Sequence, residues 1–388
     1  MTTLAAPPLD LAPRLASGSL SDFPIPHGRE EAWRFTPLDK VKHMLDVDPD
    51  AGDVTSEASG FVTVGPIDAA DAGHWLPTDR ASVVAWVSAG TSVRVDIPAD
   101  TVVEEPVIVH LKAQAARAHA HVDVRLGRHA KATVVLVHDA EADVSGNIVT
   151  QVGDGGDLTM LSILDESADA DASGVMSERV QLWHWPVQIG RDATFLGSAI
   201  TLAGSVVRML PSVTFAGPGG SATLLGAFLA SEGQYLEHRI LVEHEAPHCT
   251  SSVTYKGALS GEGTHTVWVG DVVVRRDAIG TETYEMNRNL LLDDGARADS
   301  VPNLELETGD IASAGHASAT GRFDDQQLFY LQARGIPERV ARQLVVRGFF
   351  VDVLTRVGSR QWRDAVLDRI AQRLGMEPEL ERELKADS

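Results

Sequence analysis

Two short stretches hold the residues whose types and spacing could do chemistry. In EHEAPHC, Glu243, His244, Glu245, His248 and Cys249 fall within seven positions. Imidazole, carboxylate and thiolate together suit a borderline metal such as zinc or iron(II). Pro247 argues against a helix that would align the two histidines, and in a strand or loop they need not point the same way. Ordinary loop polarity is therefore the preferred reading, with His248 and Cys249 kept as lesser metal candidates. In SAGHASATG, Ser313 to Gly321, His316 stands alone among small residues. Nothing beside it shields it, so both ring nitrogens are open to a metal or a second protein.

Other chemistry is missing. The sequence has no G-x-x-x-x-G-K-[ST] phosphate loop, no G-x-S-x-G elbow and no C-x-x-C pair. With 33 basic against 55 acidic side chains the net charge is -22. That charge repels phosphate backbones and anionic membrane surfaces, so neither nucleic acid nor membrane is an expected partner. A single cysteine suits a reducing compartment, and no signal-like or bilayer-spanning apolar run occurs. The cytoplasm is the expected location.

The elements that must position these residues fall into three regions. Residues 1–80 mix short helical patterns with breakers: Trp33, Phe35, Leu38, Val41 and Leu45 are flanked by Pro24, Pro26 and Pro37. They read as a capping segment tucked against something larger, covering a hydrophobic end. Residues 81–321 change texture to short Val/Ile/Leu/Thr/Ala runs with period-two alternation, as in PVIVHLKA, HVDVRLG and KATVVLVHDA. Helix-period patterns are nearly absent there. A turn with Gly or Asp just before a small residue recurs near Ala130, Asp157, Ala193, Ala222, Ala278 and Ala296, at intervals of 27, 36, 29, 56 and 18. Most intervals lie near 28 or twice 28, which predicts a parallel β-helix whose coils return to one corner, in preference to a sheet sandwich. An aromatic content of 5% fits a narrow, stacked interior. Residues 322–388 turn helical, with a first helix from Asp324 to a cap at Gly335, a second after Pro337 and a third from Ser359 to Gly375. Such a bundle, carrying the adjacent Phe349 and Phe350, would sit on the end of the solenoid as a cap.

The stretch from Met286 to Phe350 resembles the SufD family, a subunit of the SUF iron-sulfur cluster assembly machinery. It carries NLLL, Pro302-x-Leu304-Glu305, the histidine of the small-residue loop, D-x-x-x-LFYL-x-x-RGI and GFF in the family's order and spacing. REEAWRFTPL and CTSSVTYKG extend the likeness over most of the chain. The resemblance implies a mainly β fold: a right-handed parallel β-helix with helical N- and C-terminal flanking domains. It also implies a non-catalytic scaffold that pairs with a SufB-like paralogue through the end of the solenoid. The C-terminal helices would dock a SufC-like ATPase through the region of Leu328, Phe329, Tyr330, Gly335, Ile336, Phe349 and Phe350. Iron or a nascent iron-sulfur cluster would be held in the assembled complex, with little metal bound stably by the isolated chain. His316 matches a histidine thought to contribute a ligand at the SufB interface, although Ala314 stands where relatives often carry a cysteine. An open solenoid end also makes a homodimer of the isolated chain an expectation. The alternative from a different class is a β-helix enzyme acting on polysaccharide, for which Trp183 and Trp185 of LWHWP are the only evident sugar-stacking side chains in the solenoid region.

Overall fold

The structure, a computed structural model, describes residues 14–67, 75–113, 115–165, 178–231, 233–323 and 325–374. Asp324 and Gly375, the expected ends of two C-terminal helices, lie outside the described residues. The alternating region forms a parallel β-solenoid of about seven turns. Two strands precede its first full coil: β1 (Gly52–Thr55) and β2 (Val62–Pro66). One solenoid wall, wall A, stacks β3 (Thr91–Ile97), β5 (Arg117–Leu126), β7 (Asp143–Val152), β9 (Val180–Ile189), β11 (Val206–Phe215), β13 (Tyr235–His244), β15 (His265–Val274) and β17 (Arg297–Leu306). The facing wall, wall C, stacks β4 (Val107–Ala113), β6 (Lys131–His138), β8 (Asp157–Leu164), β10 (Thr194–Thr201), β12 (Ser221–Ala230), β14 (Thr250–Leu259), β16 (Glu282–Leu291) and β18 (Ser313–Arg322).

The recurring turn is a corner ladder. Asp100, His129, Gly155, Asp192, Gly219, His248 and Gly280 all have positive φ, one per coil. Each is joined to the neighbouring coil by a backbone N–H to carbonyl bond, as from Asp192 to Pro218 (3.0 Å) and from His248 to Ile279 (2.8 Å). Left-handed backbone favours Gly and tolerates Asp and His, which is why the turn chemistry repeats. At Gly280 only glycine fits, because a Cβ would stand 2.4 Å from the His248 ring. The 56-residue interval spans two coils: Cys249 fills the skipped corner, buried with its Sγ 3.5 Å from the Gly217 carbonyl. The 18-residue interval compares two different corners, since Ala296 precedes β17 on the opposite wall.

Inside, the two walls close on an apolar core containing Trp183, Trp185, Phe195, Phe215, Phe228 and Trp268. Both outer faces are covered as well. Trp33, Val41, Met44 and Leu45 pack on outward residues of wall A, including Val180, Leu182, Val206 and Val269. Beneath them Arg208 is fully buried, bonded to Asp79 (2.8 Å) and the Ala32 carbonyl, and stacked 3.9 Å from the Trp33 ring. Glu237, also fully buried, accepts from Thr36 (2.7 Å) and Arg239 (2.7 Å). The N-terminal segment thus covers a face as well as an end.

Two expectations are corrected here. A helix, α2 (Arg80–Ser88), interrupts the region expected to be all strand. Asp79 and Ser82 form a capping box at its start, and RASVVAWVS lacks period-two alternation. It follows the short α1 (Leu38–Val41) in chain order. The C-terminal helices α3 (Asp325–Gln332), α4 (Glu338–Leu354) and α5 (Arg360–Arg373) do not cap the end of the solenoid. Val346, Phe350, Val353, Leu354, Val366 and Ile370 instead bury the outward face of wall C, against Leu161, Ile200, Leu225 and Leu229. Strands apolar on both faces need cover on both, and the outward face of wall C is apolar through its middle coils. No helix among the described residues is long and apolar enough to cross a membrane.

Candidate functional site

His316 lies in a strand, β18, and not in a loop as its small neighbours suggested. Ten residues of β18 pair in parallel register with β16, and that pairing overrides the weak strand propensity of Ala, Ser and Gly. The register sets His316 opposite Glu285 and Ser318 opposite Asn287. Alternation along β16 buries Thr283, Glu285, Asn287 and Asn289 and leaves Tyr284 and Arg288 exposed, so His316 shares the inward face. Its ring is 43% exposed because no further coil lies above it among the described residues.

Under this last coil a polar cluster on β16 stands beside the apolar Trp268, Val272 and Leu291. Asn289 donates to Asn287 (2.8 Å) and Ser300 (3.0 Å), and Ser300 donates to Asn287 (2.7 Å). Glu285 is fully buried, with Oε1 3.9 Å from His316 Nδ1. Neither of its oxygens makes a well-formed hydrogen bond, the Asn303 backbone N–H giving only weak support. Burial, reinforced by the nearby Asp271 charge, pushes the Glu285 carboxyl up to about 8. Sequence reasoning missed Glu285. Its signal is an acidic residue in the inward parity of a strand, 31 positions before His316, which is one coil length.

The EHEAPHC residues do not converge. His244, Glu245 and His248 stand in the H-E-x-x-H order of a helical zinc motif, but they occupy a strand end and a corner. His244 points into the core, stacked 4.7 Å from Phe215 and hydrogen-bonded to Ser251 (2.9 Å). His248 is the corner residue, and burial pushes the Cys249 thiol up, away from thiolate character. Among the described residues, no three His, Cys, Asp or Glu side chains are grouped to hold a metal.

The residues expected to meet a partner at the C-terminus divide in two. Phe329 is 71% exposed and Tyr330 56% exposed on α3, while Leu328 is buried beneath them. Gly335 is exposed with φ +86°, and Ile336 is half-buried. Phe350 is wholly buried and cannot meet a partner; it anchors α4 to wall C. Phe349 is half-buried under Lys256, which donates to its carbonyl (3.0 Å). Trp183 and Trp185 are likewise core residues, 0% and 1% exposed, and cannot stack on a sugar. A groove of about 980 Å³ on wall A contains Trp75 as its aromatic residue and four carboxylates, of which Glu243 and Glu307 are engaged by Arg275 while Glu245 and Asp277 also line it. The polysaccharide-enzyme alternative therefore loses, among the described residues, the two sugar-stacking side chains it was expected to use.

Residues 109–349 match the family described as SUF system FeS cluster assembly, SufBD core domain. An iron-sulfur cluster assembly SufBD family protein of Mycobacterium bovis is 44% identical over 373 residues, 92% of each chain. A SufBD family protein of Mycobacterium leprae is 40% identical over 92% of this chain and 93% of its own. The iron-sulfur cluster assembly protein SufD of Escherichia coli is 23% identical over 90% of this chain and 89% of its own. With a family match over most of the solenoid and relatives that cover nearly the whole length, this chain belongs to the SufBD family of the SUF iron-sulfur cluster assembly system.

Proposed function

We propose that this chain is the SufD-type, non-catalytic scaffold of a cytoplasmic cluster-assembly complex, and that the open end at β17 and β18 receives a SufB-type paralogue. The observation that carries this reading is the last coil itself. β17 pairs only with β15 and β18 only with β16 among the described residues, so their outer edges offer unpaired backbone groups to another chain. A second SufBD family protein of Mycobacterium bovis, 32% identical over 38% of this chain and 17% of its own, supports the existence of a paralogue with which to pair. In this reading 322–388 is the docking region for a SufC-type ATPase, with Phe329 and Tyr330 as its exposed apolar contacts and the half-buried Ile336 as a third. Iron or the nascent cluster is cargo at the SufB-type interface, and His316 is a ligand from this side. Thiolates must come from the partner, because Ala314 offers none and Cys249 is buried at a corner.

Co-expression with SufB- and SufC-type chains, followed by measurement of composition and metal content, tests the assignment. A stable complex containing all three is expected. Failure of the three purified chains to associate overturns it. When expressed alone, the chain is expected to self-pair through the same edges, which light scattering reads directly.

A further inference from the structure

Leaving a buried carboxyl group without a full hydrogen-bond partner is costly, and the solenoid does so one layer beneath its open end. The Glu285 side chain is fully buried, and its oxygens lack well-formed hydrogen bonds. The room it occupies is kept by Gly270 on the facing wall, where a Cβ would stand 2.3 Å from Glu285 Oε2. The other oxygen lies 3.9 Å from His316 Nδ1, on the register-matched position of the outermost strand. That separation is too long for a hydrogen bond. Two donors each about 2.1 Å from one first-row metal ion, however, stand at most about 4.2 Å apart.

We propose that Glu285 and His316 form a two-ligand seat for a divalent ion of the iron(II) class, Glu285 being a second ligand that this chain contributes. The proposal rests on the reading of His316 given above and adds the carboxylate to it. Imidazole and carboxylate are both good ligands for such an ion, and a cation would give the stranded carboxylate the counter-charge its surroundings lack. Both ligands sit on strands locked by ten residues of parallel register, so their spacing is set before the ion arrives. A nitrogen–oxygen pair suits a ferrous ion as it is loaded. A finished cluster, held chiefly by thiolates, fits this donor set less well. The remaining coordination positions face the open end, where the partner chain would supply them.

Cobalt(II) titration of the full-length chain at pH 8, followed by ligand-field absorption and calorimetry, reads the seat directly. One saturable site is expected, weakened about tenfold or more by Glu285→Gln and by His316→Ala alike, with Glu285→Asp keeping part of the affinity. Thermal unfolding of each variant confirms the fold. The absence of saturable binding at millimolar cobalt(II), or unchanged binding in Glu285→Gln, overturns the seat. Iron content of the assembled complex carrying His316→Ala separates the two layers of the argument. A loss there combined with unchanged cobalt(II) binding in Glu285→Gln removes the carboxylate and keeps the histidine. Unchanged iron content removes the histidine reading as well.

Discussion

The two ends of the solenoid are built from the same strand chemistry and finished in opposite ways. At the first coil, β2 pairs antiparallel with β3, while β1 pairs antiparallel with β4 and parallel with β5, so the chain seals its own edge. At the last coil nothing among the described residues pairs with the outer edges of β17 and β18, and nearly every residue of both strands is exposed or half-exposed. The interiors differ too. The middle coils hold chiefly aromatic and aliphatic side chains, with histidines neutralised by burial, whereas the last two coils set Glu285, Asn287, Asn289, Ser300 and His316 beside apolar residues such as Trp268, Leu291 and Leu304. An open, polar, half-solvated terminus would be a liability in a protein meant to stand alone. In the reading proposed above, another chain completes this end.

Four predictions break or sharpen that contrast. The largest effect belongs to the sealed part of the solenoid in acid. Desolvation lowers His138 to about 3 and His238 and His244 to about 4. The unfolded chain therefore binds more protons than the native one, and stability is lost as the pH falls from about 6.5 through 4. A loss on the order of 1–3 kcal/mol per histidine is expected by pH 4, and urea midpoints at stepped pH values measure it. Next, Arg208→Ala leaves Asp79 and Glu237 buried without their shared cation, and should destabilise the chain by about 3–5 kcal/mol. Chemical denaturation measures this, and a loss below 1 kcal/mol would show that the N-terminal segment is held by packing alone.

The smaller effects lie at the open end. Glu285 is raised in the native state, so its contribution is present below about 4.5 and is lost as the pH rises through about 8. Glu285→Gln should match wild type at pH 5 and be more stable at pH 9, by on the order of 1–3 kcal/mol, as read from thermal midpoints. Last, Phe329→Ser and His316→Ala should each change the stability of the isolated chain by less than about 0.5 kcal/mol. The first should weaken binding to a SufC-type ATPase in calorimetry and leave pairing with a SufB-type chain intact. The second should leave ATPase binding unchanged while lowering the iron content of the complex.

Particular residues show where sequence reading reached and where it stopped. The coil corners were legible, because left-handed backbone admits few residue types and Gly or Asp therefore returns at Gly155, Asp192, Gly219 and Gly280. Cys249 hid one corner by replacing the usual alanine, which doubled an interval. Gly335 and Ser359 were legible as helix caps, and Ser359 does accept from the Trp362 backbone N–H at 3.4 Å. The place where the helices dock was not legible. Phe349 and Phe350 announce a buried face, yet the surface the helices cover is assembled from five separate coils of wall C.

Composition, alternation and turn chemistry alone determined that this chain stacks β coils, carries helices at its C-terminus and lacks a phosphate-binding loop of its own. Tertiary structure decided which residues meet. Measured along wall C, successive coils are 26, 37, 27, 29, 32 and 31 residues long, so no fixed count along the chain finds the neighbour of a given side chain. Parallel pairing then sets residues some thirty positions apart side by side, about 4.8 Å from strand to strand. That is how a histidine with only small residues beside it in sequence comes to stand over a buried glutamate.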